Sequence, residues 1–236
     1  MRRVFARLAG YLRRLDFLGA LKYAHWLAHE HWREAQFGIR SAAYFSQSEL
    51  GTDATECNAN EAASYLVLET LFRRIAPSSI DEGQVLLDAG CGLGRAVIHA
   101  ATHPYTEIIG FDISERLVTA ARANLTRAMP RLACPKISVE VANAAEYEIP
   151  DRVTTIYIFN AFKGETMHRF IASVQRSLAR RPRVVTLAYV NTQAFDPHLY
   201  PMLKMVEEFP CYEPREGACC GYRQTVAIFH AGPAAA

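Results

Sequence analysis

The chain has 236 residues, half of them apolar, enough for one large domain, or one domain with a helical annex, around a substantial core. A formal net charge of +2, from 26 Lys and Arg against 24 Asp and Glu, excludes a general nucleic-acid footprint, and no apolar run reaches membrane-spanning length. Residues 3 to 36 carry helical periodicity: Val4, Leu8, Tyr11, Leu15 and Leu18 fall on one stripe, Arg3, Arg7 and Arg14 share another side, and Gly10 and Gly19 mark soft points. Residues 1 to 40 hold eight Lys or Arg against three acids, a local charge of +5. Docking to an anionic membrane or a nucleic acid is one expectation for such a helix; a charge-decorated helix packed on its own domain is the other. Arg7, Arg13, Arg14 and Asp16 interrupt the first twenty residues, so neither a secretory signal nor an anchor is expected there.

Gly38 marks an exit from this helix, and residues 39 to 60 read as loop or short helices, with Gly51, Asp53, Asn58 and Asn60 as breakers. Residues 61 to 75 are helical again, packing Leu66, Leu68, Leu71 and Phe72, and Pro77 with the serines after it ends them. From residue 84, strand and helix alternate. The pattern predicts strands over 85 to 89, 107 to 112, 136 to 142, 153 to 159 and 183 to 190, with helices over 94 to 102, 114 to 129 and 165 to 179. Such alternation implies a parallel sheet. A shorter helical piece near 197 to 205 precedes strands at 206 to 212 and 222 to 230, which lack room for a crossover and predict an antiparallel hairpin at the sheet edge. The expected architecture is α/β, a doubly wound, seven-stranded, mostly parallel sheet with an antiparallel C-terminal hairpin. Residues 1 to 60 form an N-terminal helical extension, residues 61 to 232 the main domain, and Pro233 with the terminal alanines a frayed tail.

The six cysteines, Cys57, Cys91, Cys134, Cys211, Cys219 and Cys220, show no framework spacing. They read as reduced thiols of a cytoplasmic-type compartment. His25 and His29 lie one helical turn apart beside His31, but no Cys or further His is spaced to complete a zinc tetrahedron, so no metal site is expected.

The most informative stretch is residues 85 to 95. Val85, Leu86 and Leu87 form a strand that needs cover on both faces, Asp88 stops it, and Gly90, Gly92 and Gly94 follow at alternate positions. A dinucleotide fingerprint wants glycines at the first, third and sixth positions; the sixth from Gly90 is Arg95, so a pyrophosphate cradle is the weaker reading. Asp112 ends the next strand 24 residues after Asp88, where a carboxylate can accept both hydroxyls of a ribose. Together, Asp88-x-Gly-x-Gly-x-Gly and the strand-terminal Asp112 resemble the first two motifs of the Rossmann-like, class I S-adenosylmethionine-dependent methyltransferases. The resemblance covers roughly residues 60 to 230. It implies that Gly90, Cys91, Gly92 and Gly94 pass the methionine part of S-adenosylmethionine, that Asp112 with Ile113 holds the ribose, and that Asn143 and Ala144 face the adenine. Asn143 departs from the more usual acid, and a turn-forming Asn explains it as well.

A second stretch, residues 155 to 162, runs apolar into Asn160, Ala161 and Phe162. It resembles the fourth motif of amino-group methyltransferases, in the form found in the non-SET histone-lysine methyltransferases. That resemblance implies an Asn160 acceptor for the substrate amine and Phe162 as a wall of the methyl channel, although Ala161 stands where prolines are common. Glu61, Ser64 and Tyr65 resemble the segment that lids the cofactor in the same lysine family; Tyr65 reads equally as a packed helix aromatic. Arg95 is expected either to meet the methionine carboxylate or to pair with a surface acid. His168, Tyr189 and Glu61 are candidate bases without a compelling spacing. The expected function is methyl transfer to an amine of a protein lysine or small molecule. A small-molecule O-methyltransferase and a catalytically silent cofactor-binding protein are the alternatives.

Overall fold

The computed structural model describes residues 17–191, 195–213 and 222–232. Its seven strands are β1 (Val85–Ala89), β2 (Glu107–Asp112), β3 (Ile137–Val141), β4 (Thr155–Phe159), β5 (Val185–Val190), β6 (Leu203–Glu213) and β7 (Tyr222–Ala231). They form one sheet in the order β3-β2-β1-β4-β5-β7-β6, parallel from β3 to β5, with β7 antiparallel to both of its neighbours. The helices are α1 (Phe17–Phe37), α2 (Gln47–Leu50), α3 (Tyr65–Ile75), α4 (Arg95–Ala100), α5 (Glu115–Ala128) and α6 (Gly164–Arg180).

Two apolar layers sandwich the sheet, because alternate residues of a strand face opposite sides. Leu86 of β1 joins Leu68, Leu71 and Phe72 of α3, Val97 of α4 and Val118 of α5 on one side. Val85, Leu87 and Ala89 join Met167, Phe170, Ile171 and Val174 of α6 on the other. Every residue of β1 is buried, as a central strand covered on both faces requires. The strand order reverses between β1 and β4, and a crevice opens there beyond the carboxyl ends of the strands.

The structure departs from the sequence expectations at several points. Ser64 accepts a hydrogen bond from the Val67 amide and starts α3 at Tyr65, so Glu61, Ala62 and Ala63 lie outside the helix. Leu66 points outward at 37% exposure, and Val67 takes the expected core position. Only Pro197–Leu199 is helical in the piece read as 197 to 205, as a single 3-10 turn; β6 then begins at Leu203 and shifts register between Met205 and Glu207. Helix α1 runs unbroken through Gly19, and Leu18 is 61% exposed: the buried stripe is instead Ala20, Tyr23, Glu30 and Phe37. Val4, Leu8, Tyr11, Leu15, Arg3, Arg7, Arg14, Gly10, Cys219, Cys220 and the Pro233 tail lie outside the described residues.

Candidate active site

The turn after β1 is held through its own backbone amides. The Gly90 and Cys91 amides both donate to the Phe111 carbonyl, at 2.9 and 2.8 Å, which pulls the turn against the end of β2. Gly90 and Gly92 adopt φ of +83° and +52°, in the left-handed region where a side chain is strained. Both also lack room for a Cβ: at Gly90 it would meet the Ala161 side chain, at Gly92 the Asn60 amide oxygen. The Gly92 amide donates to Asp112 Oδ2 at 3.0 Å, while Asp112 Oδ1 accepts from the Ser114 amide at 2.9 Å. Ser114 in turn caps α5, so the turn, the carboxylate and the following helix form one hydrogen-bonded unit.

Around this turn lies a cleft of about 920 Å³, counting its open mouth. Asp88, Gly90, Cys91, Gly92, Asp112, Ile113, Asn143, Ala144 and Phe162 line it, together with Phe111, Leu117 and Ala142. Asp88 is 1% exposed and its Oδ2 has no hydrogen-bond partner in the described protein. Burial, and then the nearby Asp112 charge, push its carboxyl up to about 8. Burial also raises Asp112, and it drives the Cys91 thiol well above its usual range. An orphaned buried carboxyl oxygen calls for a partner that the described residues do not supply. Two carboxylates beside glycines that leave no space for side chains suit a cationic nucleoside ligand, with Ile113, 45% exposed, Leu117 and Ala142 offering apolar surface to a flat ring. Asn143 Oδ1 accepts from the Ala145 amide at 3.0 Å, so it forms a turn and lines the cleft at once.

Three singled-out residues stand back from the cleft surface. Gly94 caps α4 against Ala121. Tyr65 is fully buried with its ring under the Arg95 and Arg33 guanidiniums, at 4.6 and 5.4 Å. Asn160 sits between the lining residues Phe159 and Ala161 with φ +42°, its backbone carbonyl and Oδ1 both accepting from Asn58 Nδ2, at 2.8 and 3.2 Å. The Asn58 amide also donates to the Ala161 carbonyl, and Cys57 bridges to Phe162. Glu56 completes this brace: its carboxylate accepts from the Thr166 amide at 2.7 Å, occupying the start of α6 where Lys163 provides no side-chain cap. Of the candidate bases, Glu61 lines the cleft, His168 bonds the Tyr200 hydroxyl at 3.0 Å, and Tyr189 stacks on Phe195 in the core.

Arg95 lines the cleft and does not pair at the surface. It is 6% exposed and spends four N–H donors within the protein, on Glu30 (2.6 Å), Glu34 (3.1 Å), Ser41 (2.8 Å) and the Ala63 carbonyl (3.0 Å). This buried cluster locks α1 onto the helix that follows the glycines. Its partners lie 32 to 65 positions away in sequence, and no local pattern signals them.

Residues 86–181 match the profile of a methyltransferase domain. No curated protein matches the sequence. Among solved structures, the chain is similar to a Streptococcus pneumoniae protein assigned as a tRNA methyltransferase, at 19% identity and TM-score 0.53, covering 74% of this chain and 73% of that one. It is similar to precorrin 8W decarboxylase from Methanobacterium thermoautotrophicum, at 14% identity and TM-score 0.51, covering 73% and 92%. A protein that converts a disulfide bond into a thioacetal group during echinomycin biosynthesis is alike to the same degree, at 15% identity and TM-score 0.51, covering 72% and 82%. These likenesses share the sheet and differ in chemistry, so they speak for the fold alone. The domain match adds the reaction: residues 86–181 carry a methyltransferase domain, whose methyl donor is S-adenosylmethionine.

Proposed function

We infer that the acceptor is an amine, carried by a protein lysine or a small molecule. The observation that carries this reading is the Asn160 to Phe162 turn at the cleft's edge, with its carbonyls held in place by Asn58 and Phe162 forming part of the wall. When bound, S-adenosylmethionine supplies a methyl group already activated on a sulfonium. The protein's task is then positioning, which for well-oriented groups accounts for most of the acceleration. Asp112 is the residue for the ribose hydroxyls, Asp88 for the cationic methionine portion, the Gly90 to Gly94 turn for its passage, and Ile113, Asn143 and Ala144 for the adenine. The segment before residue 61 acts as a cap, since Ser41, Cys57, Asn58 and Asn60 complete the lining. An amine needs only to arrive neutral, whereas a hydroxyl acceptor needs a base. No histidine lines the cleft among the described residues.

Glu61, an exposed carboxylate on the lining, favours a second reading, an oxygen acceptor on a small molecule. Transfer of a labelled methyl group into size-fractionated extract, followed by hydrolysis of the labelled product, separates the two. Methylated lysine or another N-methyl product is expected. An O-methyl ether or ester as the sole product sinks the amine assignment, and label that never leaves the donor sinks both.

A further inference from the structure

We propose that the outer face of α1 is a docking surface for an anionic lipid bilayer. The helix carries two stripes at alternating spacings of three and four. One comprises Ala20, Tyr23, Leu27, Glu30, Glu34 and Phe37, all buried or half-buried against the domain. The other comprises Leu18, Leu21, His25, Ala28, Trp32 and Ala35, and all six are exposed, with Leu18 at 61%, Leu21 at 59% and Trp32 at 58%. From Leu18 to Trp32 this stripe runs about 21 Å along the helix. It is too regular for scattered surface leucines, and the described residues leave it exposed.

The charge of that face identifies the partner. Helix α1 contains two carboxylates, Glu30 and Glu34, and both are turned inward onto Arg95. The outer face is left with Lys22, His25 and His31, all exposed, and no carboxylate. The sequence immediately before α1 adds Arg2, Arg3, Arg7, Arg13 and Arg14 against Asp16. Two leucines and a tryptophan beside Lys22, on a face without a carboxylate and after an arginine-rich stretch of sequence, suit the boundary between anionic headgroups and acyl chains. A nucleic acid would use the cations but has no place for an exposed stripe of two leucines and a tryptophan. A second copy of the chain would set like charges against each other, across a seam holding His25 and two alanines where interlocking side chains belong.

The test uses the full-length protein and sedimentation with vesicles, and its readout is independent of any methyl acceptor. The protein is expected to sediment with phosphatidylglycerol-containing vesicles and not with pure phosphatidylcholine. The bound fraction should fall at about 0.5 M salt, where screening acts within a few ångströms. Leu21→Glu combined with Trp32→Glu should lower the vesicle affinity at least about ten-fold while the affinity for S-adenosylhomocysteine stays unchanged, showing that the variant is folded. Absence of vesicle binding by the wild type overturns the proposal, and so does binding that the double substitution leaves intact. Self-association or nucleic-acid binding that the same substitutions abolish, without any vesicle binding, assigns the face to another partner and overturns it too.

Discussion

The turns after β1 and β4 lie side by side at the carboxyl ends of neighbouring strands, yet they are held in opposite ways. The first is fastened from within, by amides donating to Phe111 and Asp112 of the next strand. The second is fastened from outside, by Glu56, Cys57 and Asn58 of the segment before the domain match begins. The cleft wall at the first turn is therefore a property of the sheet and its loops, while the wall at the second takes its shape from the segment before residue 61. One fold can keep the first constant and change the second by altering a short stretch of chain.

Arg95→Met tests this contrast most severely. It leaves Glu30 and Glu34 as buried carboxylates without their cation, and should cost about 3–5 kcal/mol in urea unfolding. A loss under about 1 kcal/mol would show that the cap is not anchored through this cluster. Gly92→Ala strains a left-handed backbone and drives a methyl group into Asn60. S-adenosylhomocysteine affinity, read by calorimetry, should fall about 100-fold, equivalent to about 2.7 kcal/mol. Asn58→Ala removes the two side-chain donations to Asn160 and should cost about 1–2 kcal/mol of stability. Its effect should appear in the acceptor KM with cofactor affinity unmoved; equal loss of both would erase the distinction between the two turns.

The smallest effect is that of pH. The buried Asp88 carboxyl titrates at about 8 in the folded protein, above its unfolded value, so it favours folding most at low pH and loses that contribution as pH rises through about 8. A cationic ligand prefers the ionised form, so cofactor affinity should rise between about pH 6 and 8, by at most about ten-fold per unit. Asp88→Asn should flatten that slope in calorimetric titrations, and an unchanged slope would assign the proton to another group.

The sheet was legible because its central strands announce themselves. Val85 to Leu87 and Ile108 to Phe111 are short apolar runs ending in carboxylates, and both were bounded correctly from sequence. The edge was harder. Residues 197 to 205 read as a helical piece, and the register shift between Met205 and Glu207 interrupts the alternation that would reveal the whole of β6. In the site, Asp88, Gly92 and Asp112 could be read from local spacing, since one loop and two strand ends bring them together. Asn58 and Arg95 could not: their partners are remote in sequence, and an asparagine in a loop or an arginine opening a helix has many ordinary explanations. Tyr65 shows the same ambiguity from the other direction, since a residue suggestive of a lid serves as the platform beneath two guanidiniums.

The pairing of Arg95 with two glutamates also bears on turnover. Because its charge is answered by Glu30 and Glu34, the guanidinium, although it lines the cleft, leaves the charge of Asp112, and that of Asp88 above about pH 8, uncompensated. A donor enters with a positive sulfur and leaves without it. The same charge that attracts the fresh donor holds the spent one less tightly, so exchange is favoured electrostatically.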